Sequence, residues 1–194
     1  MVESMQADRT EGSDARPPVR GLKRVEFEQL IELGAFEDEP IELLDGELVV
    51  MSPQGDDHAW VVAKLSRWLS QALDESWDVY SHSGLAVSDW SLPEPDLAVV
   101  PATPTPQRPR TAILVVEVSR ARLAYDLGRK ARAYARGGVP TYWVVDLVHR
   151  AVHVHTDPID GDYRRVATVG PDASLTVAGL PEVTVAAAML LPEP

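Results

Sequence analysis

The sequence predicts an α/β (α+β) domain, with a mixed β-sheet flanked by helices and edged by β-hairpins. Three patterns carry this. Short apolar runs of strand length recur at 95–100, 112–119 and 142–147. Two longer stretches repeat their apolar residues at helical spacing, and segments 150–156 and 163–169 alternate apolar and polar residues with period two.

Residues 1–20 are polar and carry Pro17 and Pro18 near their end, so they read as a flexible tail ahead of one domain over 21–194. A short helix over 23–34 would present Phe27, Leu30, Ile31 and Leu33. Asp45-Gly46 between Ile41–Leu44 and Glu47–Met51 is a two-residue hairpin signal. Asp56 or Asp57 would cap the next helix, whose Val61, Val62, Leu65, Trp68, Leu69 and Ala72 share one face. Strands are expected near 78–87, 95–100 and 112–119, while Pro101, Pro104, Pro106 and Pro109 exclude regular structure between the last two. A second helix would run from Tyr125 to Arg136 and stop at Gly137-Gly138. Tyr142–Leu147 reads as a buried strand. The two alternating segments, joined by Asp157-Pro158-Ile159-Asp160-Gly161, read as a half-exposed hairpin.

Composition narrows the setting. A chain of 194 residues, 45% hydrophobic, can bury a core and is not disordered throughout. It has no cysteine, which excludes disulfides and thiolate metal sites. No apolar run approaches the roughly 18 residues of a membrane span, and the N-terminus lacks the regions of a signal peptide. A cytoplasmic location is expected. The net charge of −12 opposes a nucleic-acid ligand, because phosphate binding rests on Lys and Arg. Residues 120–136 run against that trend. They hold Arg120, Arg122, Arg129, Lys130, Arg132 and Arg136 against the single acid Asp126. Arg129, Arg132 and Arg136 fall on one helical face, either a nucleic-acid contact or a solvated charged face.

The chemistry is carried by two carboxylates that punctuate apolar strands. Asp96 opens Pro-Asp-Leu-Ala-Val-Val at 95–100, and Glu117 closes Ala-Ile-Leu-Val-Val-Glu-Val at 112–118. A buried carboxylate is costly to keep charged without compensation. Two that converge suit a hard divalent cation such as Mg²⁺. Lys130, on the following helix, adds an ammonium of the kind phosphoryl-transfer chemistry exploits. The set points to a metal-dependent nuclease site.

These residues and their surroundings resemble the PD-(D/E)XK nuclease superfamily, and within it the Uma2-like (DUF820) family of restriction-endonuclease-like proteins. The resemblance spans roughly 22–192. Its marks are Ile-Glu-Leu-Leu-Asp-Gly-Glu-Leu at 41–48, His58 opening a helix, Glu-Pro-Asp-Leu-Ala-Val-Val at 94–100 and Val-Val-Glu-Val at 115–118. They continue with Tyr-Asp-Leu-Gly-Arg-Lys-Ala-Arg-Ala-Tyr-Ala at 125–135 and Gly-Val-Pro-Thr-Tyr-Trp-Val-Val-Asp at 138–146. The resemblance implies a restriction-endonuclease-like core. It also implies a Mg²⁺- or Mn²⁺-dependent endonuclease acting on phosphodiester bonds, in DNA for preference. The alternative is a nuclease-fold DNA-binding or protein-interaction module without turnover. A homodimer would let such an enzyme address both strands of a duplex.

The resemblance assigns roles residue by residue. Asp96 and Glu117 would hold the metal with a backbone carbonyl, that of Val118. The superfamily's lysine two residues after the second acid is absent, since Ser119 stands there. In the Uma2-like pattern the lysine comes from the next helix, as Lys130. Asp126, one turn earlier, would orient Lys130 through an ion pair, unless the two form an ordinary surface pair. Glu42 matches a family glutamate that would complete the acidic cluster, its alternative being an outward-facing hairpin residue. His58 would support the site or serve as a core histidine. Departures fall at Ala121-Arg122, where relatives carry a small hydroxyl-bearing pair, and at Thr141, where they carry glutamate. His149, His153 and His155 are read as an exposed hairpin face without a carboxylate among them. Tyr134, Tyr142 and Trp143 are read as core.

Overall fold

The computed structural model describes residues 19–193, so the tail expected over 1–20 lies almost wholly outside the described residues. Helix α1 (Arg24–Glu32) is closed at its start by Glu26, whose carboxylate accepts the Lys23 backbone N–H at 2.8 Å. Strands β1 (Ile41–Leu44) and β2 (Glu47–Val50) form the hairpin expected at Asp45-Gly46. Both turn residues have positive φ, 51° and 80°, the conformation a type I′ turn requires. Helix α2 (Asp56–Ala72) buries His58, Val61, Val62, Leu65 and Leu69, the stripe its period predicts. Its cap is Gly55 rather than Asp56 or Asp57, which occupy the first turn, where negative charge favours the helix dipole.

Six strands stand side by side in sequence order: β3 (Trp77–Ser81), β4 (Leu97–Pro101), β5 (Leu114–Ser119), β6 (Thr141–Asp146), β7 (Ala151–Ile159) and β8 (Asp162–Val169). All neighbours are antiparallel except β5 and β6. A parallel pair needs a crossover, and a helix supplies it. Leu123–Tyr125, a π-helical turn Asp126–Lys130, and Ala131–Arg136 follow one another as helix α3. β5 and β6 are buried at every position, which is why they read as unbroken apolar runs.

The sheet is covered on both faces. On one side α2 packs Val61, Leu65 and Leu69 onto Leu97, Val116 and Trp143, joined by a small hairpin of β9 (Ser174–Val177) and β10 (Leu180–Ala186). On the other, Ala131, Tyr134 and Ala135 of α3 meet Val115, Tyr142 and Val144. Phe27, Leu43 and Leu92 form a lesser cluster that ties α1 and the β1–β2 hairpin to the body. Removing Leu114, fully buried at the centre, as Leu114→Ala would cost about 2–5 kcal/mol.

Three segments differ from expectation. β3 ends at Ser81, not 87, because Ser81 pairs with Leu97, the first residue of β4. Leu85 and Val87 beyond it are still buried, so their apolar pattern reports burial in a loop. The β7–β8 turn narrows to Asp160-Gly161, and Pro158 lies within β7 opposite Tyr163. The pairing of β6 with β7 stops at Thr156, so the missing proline N–H faces no partner strand. The β9–β10 hairpin carried no clear sequence signal. No helix among the described residues is long and apolar enough to cross a membrane.

Candidate active site

The β4–β5 register brings the two carboxylates together. Leu97 pairs with Val116, and one step further along the same ladder sets Asp96 across from Glu117. Directly opposed residues on antiparallel strands project to one face. Both carboxylates are buried, at 6% and 5% exposure, and both line a cleft of about 830 Å³ between the start of α2, the β1–β2 hairpin and α3.

Asp96 is oriented from several sides. Its Oδ2 accepts the Val118 N–H at 2.7 Å and lies 2.9 Å from His58 Nε2. Gln54 Nε2 donates to Oδ1 at 3.3 Å, and His82 Nδ1 stands 3.6 Å from the same oxygen. Glu117 Oε1 accepts Lys130 Nζ at 2.9 Å and the Tyr134 hydroxyl at 2.7 Å. Its Oε2 has no hydrogen-bond partner among the described residues. Lys130 Nζ also lies 3.3 Å from Glu42 Oε2, which in turn accepts the Glu94 backbone N–H at 3.1 Å. Asp96, Glu117, Lys130 and Glu42 are thus one contiguous group.

Charge in this group is unbalanced. Glu42, Asp96, Glu117 and Asp126 are buried carboxylates, and Lys130 is the one buried ammonium beside them. Burial pushes the Glu117 carboxyl well above its ordinary range, with Lys130 offsetting only part. Burial raises Asp126 as well, and burial with the charge of Glu42 raises Glu94. For Lys130, burial opposes the charged form, but Glu117 and Glu42 outweigh it and raise its pKa. The ammonium therefore stays charged, while burial disfavours the charged forms of Glu117 and Asp126 around it.

The oxygen donors present fit a hard divalent cation. Glu117 Oε2 is unengaged, and Asp96 Oδ1 makes only its two longer contacts. The Val118 N–H points to Asp96, and along a strand a residue's N–H and C=O leave on the same side, so the Val118 carbonyl faces Asp96 too. Ser119 O, one residue on, accepts from Leu147 on the opposite side, as the alternation requires. No three His, Asp or Glu side chains stand ready-made around one point among the described residues. Two carboxylates, a carbonyl and water are the kind of set Mg²⁺ takes.

Some expected contacts are not made. Lys130 pairs with Glu117 and Glu42, and no ion pair joins it to Asp126 among the described residues. The π-helical turn over Asp126–Lys130 breaks the regular spacing on which that pair would depend. Asp126 instead sits beside Ser119, whose buried hydroxyl closes no hydrogen bond. The arginines of α3 do not form one free basic face either. Arg129 binds Glu47 at 2.7 Å and the Leu44 carbonyl at 2.8 Å, and Arg136 binds Asp45. Only Arg132 of the three is exposed without an ion pair among the described residues. Arg120 and Arg122 line the cleft, Arg120 paired with Asp57 at 2.7 Å and Arg122 donating to the Val50 carbonyl at 2.9 Å.

The histidines also sort differently. His155 is a core residue, 4% exposed, against Tyr142 and Tyr163. His149 and His153 flank the buried carboxylate of Asp146, so a carboxylate does stand among them. Gln54, His82, Glu94 and the hydroxyl of Tyr134 were missed at the site. Gln54 and His82 sit in loops, where no periodicity indicates direction. Tyr134 has the spacing of a core residue, and nothing in that spacing reveals where its hydroxyl ends.

Comparison with known proteins agrees with this architecture. A family model, Uma2, described as "Putative restriction endonuclease", matches residues 24–188. The crystal structure of "a putative nuclease belonging to DUF820" from Anabaena variabilis superposes with a TM-score of 0.72 at 15% identity, covering 87% of this chain and 97% of that one. The type IIG restriction endonuclease BpuSI matches at a TM-score of 0.42 and 21% identity, over 74% of this chain and 17% of its own length. No curated protein sequence matches this chain.

Proposed function

Because the chain belongs to the Uma2 family of restriction-endonuclease-like proteins, we propose that it is a Mg²⁺- or Mn²⁺-dependent endonuclease that hydrolyses phosphodiester bonds, with DNA as its substrate. The observation that carries this reading is the surplus of buried negative charge around Lys130, with Glu117 Oε2 left free beside Asp96. A buried charge left uncompensated is expensive, and a divalent cation with a phosphate is the compensation this cleft suits.

Asp96, Glu117 and the Val118 carbonyl would hold the ion. When bound, it supplies a lowered pKa for an attacking water and neutralises charge on the phosphate. The protein's own residues supply the rest. His58 and the Val118 N–H lock Asp96, so that its Oδ1 keeps one direction. Tyr134 fixes Glu117 through Oε1 and leaves Oε2 for binding. Glu42 and Glu117 keep Lys130 charged and aim it into the cleft, where its ammonium meets negative charge building on the phosphate. Arg120, 65% exposed at the rim, and Arg122 would meet flanking phosphates.

The test pairs binding with cleavage. Mn²⁺ should raise the melting temperature of the wild type by mass action, and supercoiled plasmid should be nicked in Mg²⁺ but not with chelator. Asp96→Ala should abolish both. Equal Mn²⁺ affinity in wild type and Asp96→Ala would remove the cleft from consideration.

A further inference from the structure

A second cluster of ligating side chains lies at the C-terminal end of β6, where Asp146 pairs with Ser119 of β5, outside the lining of the cleft. Asp146 closes β6 and is 1% exposed. Its Oδ1 accepts the backbone N–H groups of Val148 and His149, both at 3.0 Å, which fixes the carboxylate in place. Oδ2 is thus a carboxylate oxygen on a rigid mount. His149 Nδ1 stands 2.7 Å from Oδ2, and His153 Nε2 stands 3.6 Å from the same atom.

His153 is the informative member. Its Nδ1 lies 2.9 Å from Thr168 Oγ1 on β8, while its Nε2 is buried and has no hydrogen-bond partner. A histidine whose one nitrogen donates to an outer residue presents a lone pair at the other, the arrangement that metal-binding imidazoles use. Here Nε2 stands 3.6 Å from a carboxylate oxygen, too far for a hydrogen bond. Two ligands of a tetrahedral ion with bonds of about 2.0 Å stand roughly 3.3 Å apart, close to the observed separation.

We propose that Asp146, His149 and His153 form a site for a borderline first-row divalent cation, Zn²⁺ foremost, which staples the end of β6 and the β6–β7 turn to β7. Two imidazoles and one carboxylate are the donor set such ions take, whereas Mg²⁺ prefers oxygen alone. The three side chains do not yet stand as a finished ligand set. Nδ1 and Oδ2 are drawn in to hydrogen-bond distance, 2.7 Å. An ion that replaces the shared proton, releasing it to solvent, opens that gap by about 0.6 Å. His149, 70% exposed, is free to make this movement.

Calorimetric titration of the full chain with Zn²⁺ tests the site. In an Asp96→Ala background, which removes the cleft's own ion, one ion per chain should bind, and His149→Ala or His153→Ala should each weaken it at least tenfold. His82→Ala, which alters the cleft, should leave that affinity unchanged. Thr168→Val keeps every ligand but removes the outer support of His153, so about a tenfold loss is expected there. A Co²⁺-loaded wild type should show the visible absorption of a tetrahedral site, absent in His153→Ala. Failure to bind Zn²⁺, binding indifferent to His149 and His153, or binding lost with His82→Ala alone would each overturn the proposal.

Discussion

Lys130 Nζ stands 2.9 Å from Glu117 Oε1 and 3.3 Å from Glu42 Oε2, a buried ammonium held between carboxylates from two different sheets. The pairing joins the β1–β2 hairpin, the central strand β5 and the crossover helix α3 at one point. It also leaves more buried negative charge than one lysine can balance, and several consequences can be measured.

The first concerns pH. Burial holds the Glu117 carboxyl above its ordinary value of 4.5, with the Lys130 charge offsetting part of the rise. The folded protein then keeps a proton that the unfolded chain has released. The contribution of this group to stability is fullest below about 4.5 and is lost as pH rises through the raised pKa. In chelator, Glu117→Gln should therefore gain stability relative to wild type as pH increases, and Mg²⁺ should narrow the difference by stabilising only the wild type. Melting curves that stay parallel across pH would show that Glu117 is not strained by its charge.

Tyr134 tests the support of Glu117. Tyr134→Phe removes a hydrogen bond of 2.7 Å to Oε1 and keeps the packed ring. Stability should fall by about 1 kcal/mol, and Mn²⁺ affinity by roughly tenfold, as when an outer partner of a metal ligand is lost. Calorimetry that finds wild-type affinity would make Tyr134 a core residue and nothing more.

The arginines of α3 should separate into two classes. Arg129 is bound by Glu47 and the Leu44 carbonyl, so Arg129→Gln should loosen the hairpin and cost about 1 kcal/mol in denaturant titrations. Arg132 is exposed, and Arg132→Gln should leave stability unchanged. Arg120→Gln, at the cleft rim, should flatten the dependence of log DNA affinity on log salt more than Arg129→Gln does. Equal slopes for these two variants would return the duplex to the α3 face.

Much of this architecture was legible from local signals. Asp45-Gly46 announced its hairpin because few other pairs tolerate two positive φ angles, and β5 and β6 announced themselves by unbroken apolar runs. The convergence of Asp96 and Glu117 follows from a register that an antiparallel pair of apolar strands makes natural. The partners of Lys130 were less legible. Regular helical spacing pointed from Lys130 to Asp126, but a π-helical turn intervenes and tertiary contacts with Glu117 and Glu42 take the ammonium. The basic run over 120–136 was visible as charge, yet the acids that occupy Arg129 and Arg136 lie more than 80 positions earlier. Asp146 escaped notice beside His149 and His153 for a related reason, since it ends one strand and the turn folds it back against the next.

The most direct test is the single-turnover rate of Mg²⁺-dependent DNA cleavage by Lys130→Ala against wild type. An ammonium that meets charge developing on the phosphate acts chiefly in the transition state. The rate should fall by on the order of 10² or more, while Mn²⁺ affinity stays the same or rises slightly because a competing positive charge has gone. Lys130→Arg should not restore it fully, since a planar fork does not replace a compact ammonium. Cleavage by Lys130→Ala at the wild-type rate, or no cleavage of any DNA or RNA by the wild type itself, would contradict the account.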